Sequence, residues 1–165
     1  MGAGKSSLLR RLSAEALDLD ELLCVRHGVH SVSKLIENRG VEKFRELEAL
    51  ELQNLFEKSP APELIALGGG TLDGPAFQFL IEKQQAREIT LVWLDTAFDV
   101  CWSRISGDDS RPLVKLGETA LRELYENRRA RYKNARLRLD ETEQLSLKTM
   151  ADLQFSLTKI DGRTP

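Results

Sequence analysis

The chain has 165 residues, 41% of them hydrophobic, which is enough for one domain with a sizeable core. A net charge of −2 gives no sign of a nucleic-acid binder. No run approaches the ~20 apolar residues of a membrane span, and no basic-then-apolar leader opens the sequence.

Gly2-Ala3-Gly4-Lys5-Ser6-Ser7 reads as the second half of a phosphate-binding loop, G-x-x-x-x-G-K-[S/T], whose first glycine and feeding strand would fall upstream of Met1. In that pattern backbone N–H groups cradle phosphates, the lysine reaches the β- and γ-phosphates and the hydroxyl residue meets Mg²⁺. A helix is expected over 6–15, with Leu8, Leu9 and Leu12 on one face. The run 16–20 reads as a short strand ending in acid. In an extended segment, Asp18 and Asp20 would share one face. The alternative is that Asp20 caps the next helix while Asp18 is solvated.

Short helices follow from Glu21 to Gly28 and over 31–38, then a stronger amphipathic helix over 41–58 carrying Phe44, Leu47, Leu50 and Leu55. On that helix Arg45 and Glu48 fit a surface ion pair of small value. Leu64-Ile65-Ala66-Leu67 is a buried strand running into Gly68-Gly69-Gly70, a loop where backbone can approach a ligand closely. A helix over 75–85, a strand over 89–94, a helix over 98–105 and a polar loop over 106–115 continue the rhythm. A basic helix over 118–134, a strand over 137–139 and a closing helix over 145–157 complete it, with a frayed tail beyond. Alternating strands and helices imply an α/β domain with a mostly parallel sheet. Cys24 and Cys101 lack metal-ligand spacing and read as buried free thiols of a cytoplasmic protein.

Taken in order, Gly4-Lys5-Ser6, the Asp18/Asp20 pair, Gly40 with Phe44-Arg45 and Glu48, Gly68-Gly69-Gly70, Arg104 with Arg111-Pro112-Leu113, and Arg128 with Tyr132 form an ordered set. Any one of these is common; together, at these separations, they resemble the shikimate kinase family from Gly2 to about Leu153. The resemblance implies a three-layer P-loop kinase fold with a parallel sheet of order 2-3-1-4-5. The strand that would be first and central lies outside this sequence. It also implies one domain over 1–165, a mobile lid around 106–116 and a substrate-binding helical segment around 20–58.

By the same resemblance, ATP and shikimate are the partners, Mg²⁺ is the cofactor and the chain is a cytoplasmic monomer. Gly2, Ala3, Gly4, Lys5, Ser6, Ser7, Arg104 and Arg111 match the ATP-binding positions, with Arg104 stacked on adenine. Ser6 and Asp18 match the metal side. Asp20, Arg45, Gly68, Gly69, Gly70 and Arg128 match the shikimate side, the two arginines gripping its carboxylate. Lys5, Asp20 and Arg111 are the implied catalytic residues. Departures from the family pattern are Val41 where a glutamate is usual, Ile36 where an aromatic is usual, and a shortened stretch between Lys5 and Asp18. An impaired relative and a kinase of another hydroxy acid or polyol stand as the alternatives.

Overall fold

Helices and short parallel strands alternate along the chain, and a computed structural model describes residues 2–13, 15–107 and 113–160 of it. Gly4, at φ 90°, turns the backbone into α1 (Lys5–Leu12), which buries Leu8 and Leu12 and stops three residues short of the expected end. β1 (Leu17–Asp18) is only two residues long, because Asp18 Oδ1 accepts the N–H of Asp20 at 3.0 Å and so starts α2 (Leu19–Arg26). The strand-like reading of 16–20 is corrected on that point: Asp20 lies in a first helical turn. The cap is Asp18, with Asp20 as the residue capped.

Ser31 caps α3 (Val32–Arg39) through the N–H of Lys34. Gly40, at φ 82°, then redirects the chain into α4 (Val41–Phe56). β2 (Ile65–Ala66) leads through the three glycines into a 3₁₀ turn (Thr71–Asp73) and α5 (Ala76–Gln85). β3 (Val92–Leu94) is half the length expected. The N–H of Leu91 is taken by Gln84 Oε1 at 3.0 Å rather than by a neighbouring strand. α6 (Phe98–Ile105), α7 (Gly117–Tyr132) and β4 (Leu137–Leu139) fall where the sequence puts them. The expected closing helix is split into α8 (Glu141–Ser146), opened by an Asp140/Glu143 capping box, and α9 (Met150–Ile160). Cys101 is buried and Cys24 half-buried, both as free thiols.

β1 pairs in parallel with β2, Leu17 opposite Ile65, and β3 pairs in parallel with β4, Val92 opposite Leu137. Among the described residues no strand joins the two pairs, so the expected order across the whole sheet is not read from them. The larger core lies beside β1 and β2, where Leu19, Leu23, Leu35, Phe44, Leu52 and Leu55 close together beneath α2 to α5. Ile36 packs half-buried against this core. A second cluster, around Leu8, Leu139, Leu147 and Leu153, fixes α1 against β4, α8 and α9.

α4 bears Arg45 and Glu48, and Leu52 anchors it with no exposed surface. Leu52→Ala is expected to cost about 2–5 kcal/mol. Chemical denaturation measures this, and an unchanged midpoint would contradict the packing.

Candidate active site

The phosphate-type loop is held by its carbonyls. Thr96 Oγ1 donates to the carbonyl of Ala3 at 3.1 Å and Arg104 Nη1 to that of Gly2 at 2.8 Å. A side chain at Gly2, which sits at φ 68°, would lie 2.5 Å from the backbone oxygen of Cys101. The N–H groups of the first turn of α1 have no partner in the helix's own ladder, which begins with Leu8 N–H to the Gly4 carbonyl, and so suit an anion. Ser6 and Ser7 are exposed in that turn. Ala3, Gly4, Ser7, Arg104 and Leu145 line a neighbouring cleft of ≈ 280 Å³.

Lys5 Nζ donates to Asp18 Oδ2 at 2.9 Å, which joins the loop to the end of β1. Asp20, in the first turn of α2, points at the first of the three glycines: a Cβ built on Gly68 would sit 2.8 Å from Asp20 Oδ1. Burial raises the Asp20 carboxyl above the ordinary carboxylate value. The positive charges of Lys5 and Arg45 partly oppose this, and Asp18 adds to it.

Glu48 overturns the surface reading of its helix. It has no exposed surface, accepts from Thr71 Oγ1 and Arg45 Nη1 at 2.5 Å each, and has its pKa raised chiefly by burial. The signal was present in the spacing. Phe44, Glu48 and Leu52 follow at i, i+4 and i+8, on one face, whereas Leu50, expected inside, is 54% exposed. The buried carboxylate fixes Arg45, whose stem runs against Gly74 and whose Nη2 ends where a Cβ at Gly70 would be. From the opposite side Arg128 Nη2 would lie 2.5 Å from that same Cβ. A side chain at Gly70 would therefore displace the ends of two guanidinium groups; its φ of −114° is open to any residue.

Arg128 reaches this point from α7, with its Nε donating to Asp73 Oδ2 at 2.8 Å. Its neighbours grip the same turn: Arg131 Nη1 donates to the carbonyl of Leu72 and the Tyr132 hydroxyl to that of Gly69, each at 2.5 Å. Sequence spacing alone did not single out Thr71 or Asp73, and it placed Glu48 in the motif without its buried role. Asp20, Arg45, Gly68, Gly70 and Arg128 are brought together, Lys5 and Asp18 border them, Ser6 follows Lys5 in the first turn of α1, and Arg104 holds the loop at Gly2. Arg111 lies outside the described residues.

The donors near the loop are hard oxygens, the Ser6 hydroxyl and the Asp18 carboxylate. This set fits a Mg²⁺ that arrives on a nucleotide and keeps most of its waters. Among the described residues no group of three or more His, Cys, Asp or Glu is assembled into a metal cage. No described helix is long and apolar enough to cross a membrane.

A family model described as shikimate kinase matches residues 1–157. The shikimate kinase of Geobacter sulfurreducens is 37% identical over 147 residues, which span 85% of this chain and 77% of that protein. The shikimate kinase of a Sulfurihydrogenibium species is 26% identical over 167 residues, 99% of this chain and 95% of its own. In three dimensions the crystal structure of shikimate kinase from Aquifex aeolicus matches with a TM-score of 0.74 at 29% identity, covering 95% of this chain and 91% of that one. The α/β arrangement of paired parallel strands and flanking helices is that of the P-loop kinases. With its loop, acid pair and paired arginines in place and a family model spanning almost its whole length, the chain belongs to the shikimate kinase family.

Proposed function

We propose that this chain transfers the γ-phosphoryl group of ATP to the 3-hydroxyl of shikimate, a step of aromatic amino-acid biosynthesis. The observation that carries this reading is the meeting of Arg45 and Arg128 at Gly70, with Asp20 a short distance away at Gly68. Two forked guanidinium groups suit a planar carboxylate, and a buried carboxylate on one side of it suits a ring hydroxyl.

Each group has a defined task. Lys5 has three N–H donors and spends one on Asp18, leaving two for the β- and γ-phosphates. The free N–H groups of residues 4–7 cradle the same phosphates, and Arg104 borders the cleft for adenine. Ser6 directly, and Asp18 through water, would hold Mg²⁺, which when bound supplies charge neutralisation on the phosphate oxygens. Asp20 accepts the proton of the attacking hydroxyl as the new O–P bond forms and ADP departs. Arg111, from the lid around 106–116, meets the transferred phosphoryl in this reading, on the strength of its motif position. The protein does little covalent chemistry itself; positioning and charge supply the catalysis.

Shikimate-dependent ADP release, followed in a coupled assay, tests the reaction, and the absence of turnover would refute it. Arg45→Ala is expected to weaken shikimate by about 1.5–3 kcal/mol while leaving the KM for ATP in place. An unchanged shikimate KM would remove Arg45 from the clamp.

Asp20→Asn is expected to abolish most turnover and to stabilise the fold. Burial raises the Asp20 pKa, so the folded state disfavours the ionised form. The carboxyl's contribution to stability is therefore present at low pH and is lost as pH rises through the folded pKa. The variant should melt above the native chain at pH 8, with the gap closing toward acid. In the native chain the acid limb of kcat/KM should fall above the ordinary carboxylate range, because Asp20 must be ionised to accept the proton. A lower melting temperature for Asp20→Asn at pH 8 would contradict the assignment.

A further inference from the structure

Arg128 is usable as half of a carboxylate clamp only if its guanidinium faces Gly70, and an arginine on a helix has many other rotamers open to it. The feature that selects this one is Asp73, on the 3₁₀ turn directly after the glycines. Its Oδ2 accepts Arg128 Nε–H at 2.8 Å, and the Arg128 side chain is 12% exposed. With Nε–H engaged in this way, the Nη2 amino group of the same guanidinium lies at the binding point, 2.5 Å from where a Cβ on Gly70 would be. Asp73 is itself fixed to that point, since its N–H donates to the carbonyl of Gly70 at 2.9 Å. The residue that aims Arg128 and the residue at which it aims are therefore three apart on one closed turn.

We propose that Asp73 is the positioning residue for the Arg128 half of the clamp, and so a determinant of affinity for the substrate carboxylate. The proposal rests on the reading of the clamp given above. It completes a symmetry in the site: Glu48 holds Arg45 through Nη1, Asp73 holds Arg128 through Nε, and each guanidinium keeps its remaining donors for ligand. Asp73 also lies 3.8 Å from Arg131, but that contact and the Arg131 bond to the Leu72 carbonyl tie α7 to the turn without touching the binding point.

That difference supplies the control. The native chain, Asp73→Ala, Asp73→Asn and Arg131→Gln should be compared for kcat, for KM toward shikimate and ATP, for thermal stability, and for shikimate binding by calorimetry. Asp73→Ala is expected to raise the shikimate KM and dissociation constant roughly tenfold, because a freed arginine must be re-ordered on binding. Its kcat and ATP KM should stay within about twofold of native. Asp73→Asn keeps an oxygen that can accept Nε–H and should fall between the two. Arg131→Gln should lower the melting temperature and leave the shikimate constants alone. The proposal is overturned if Asp73→Ala binds shikimate as well as or better than the native chain. It is equally overturned if kcat and both KM values shift together. A native chain that neither binds nor phosphorylates shikimate would show that the clamp reading itself had failed.

Discussion

Two guanidinium groups converging on one glycine is the constraint around which this structure is arranged. Arg45 and Arg128 carry like charges, and bringing them to the same backbone position is tolerable only because each has its own carboxylate. Glu48, fully buried, holds one and Asp73 the other. A buried carboxylate that lost its partner would be an uncompensated charge, at a cost of about 3–5 kcal/mol, so Arg45 and Glu48 stand or fall together. The packing of Phe44 and Leu52, which seats α4 on the core, is what makes the burial of Glu48 possible.

Charges alternate away from that centre. Asp18 holds Lys5, Asp20 lies within reach of both Lys5 and Arg45, and Asp73 lies between Arg128 and Arg131. The raised pKa of Asp20 arises inside this pattern, where burial outweighs the neighbouring cations. The phosphate loop joins from the other side through its carbonyls, which Thr96 and Arg104 hold. The loop and the clamp thus rest on different elements, α1 and α6 for one and α4 and α7 for the other. Asp18 and Asp20 are the short bridge between them.

Much of this was legible in the residues. The alternation of elements, α6, α7 and β4 almost to their ends, and the motif order leading to the family all followed from local signals. What escaped was set by side chains that compete for backbone N–H groups and by the approach of distant elements. Asp18 competes for the backbone N–H of Asp20, which shortens β1 and moves Asp20 from a strand into a helix. Gln84 takes the N–H of Leu91 and trims β3. The i, i+4 register from Phe44 placed Glu48 inside, but its ready pairing with Arg45 read as a surface feature. Asp73 belongs to no recognisable spacing; only the approach of α7 to the turn after the glycines gives it a partner.

The central claim is that bare backbone at residue 70 is what lets the two arginines act together on the substrate carboxylate. Calorimetric titration of Gly70→Ala with shikimate, beside a titration with ATP, tests it most directly. The added methyl would occupy the space of Arg45 Nη2 and crowd Arg128 Nη2. The account predicts at least a tenfold loss of shikimate affinity, given the ~1.5–3 kcal/mol of a charged hydrogen bond, with ATP binding retained. Shikimate affinity equal to that of the native chain would contradict it.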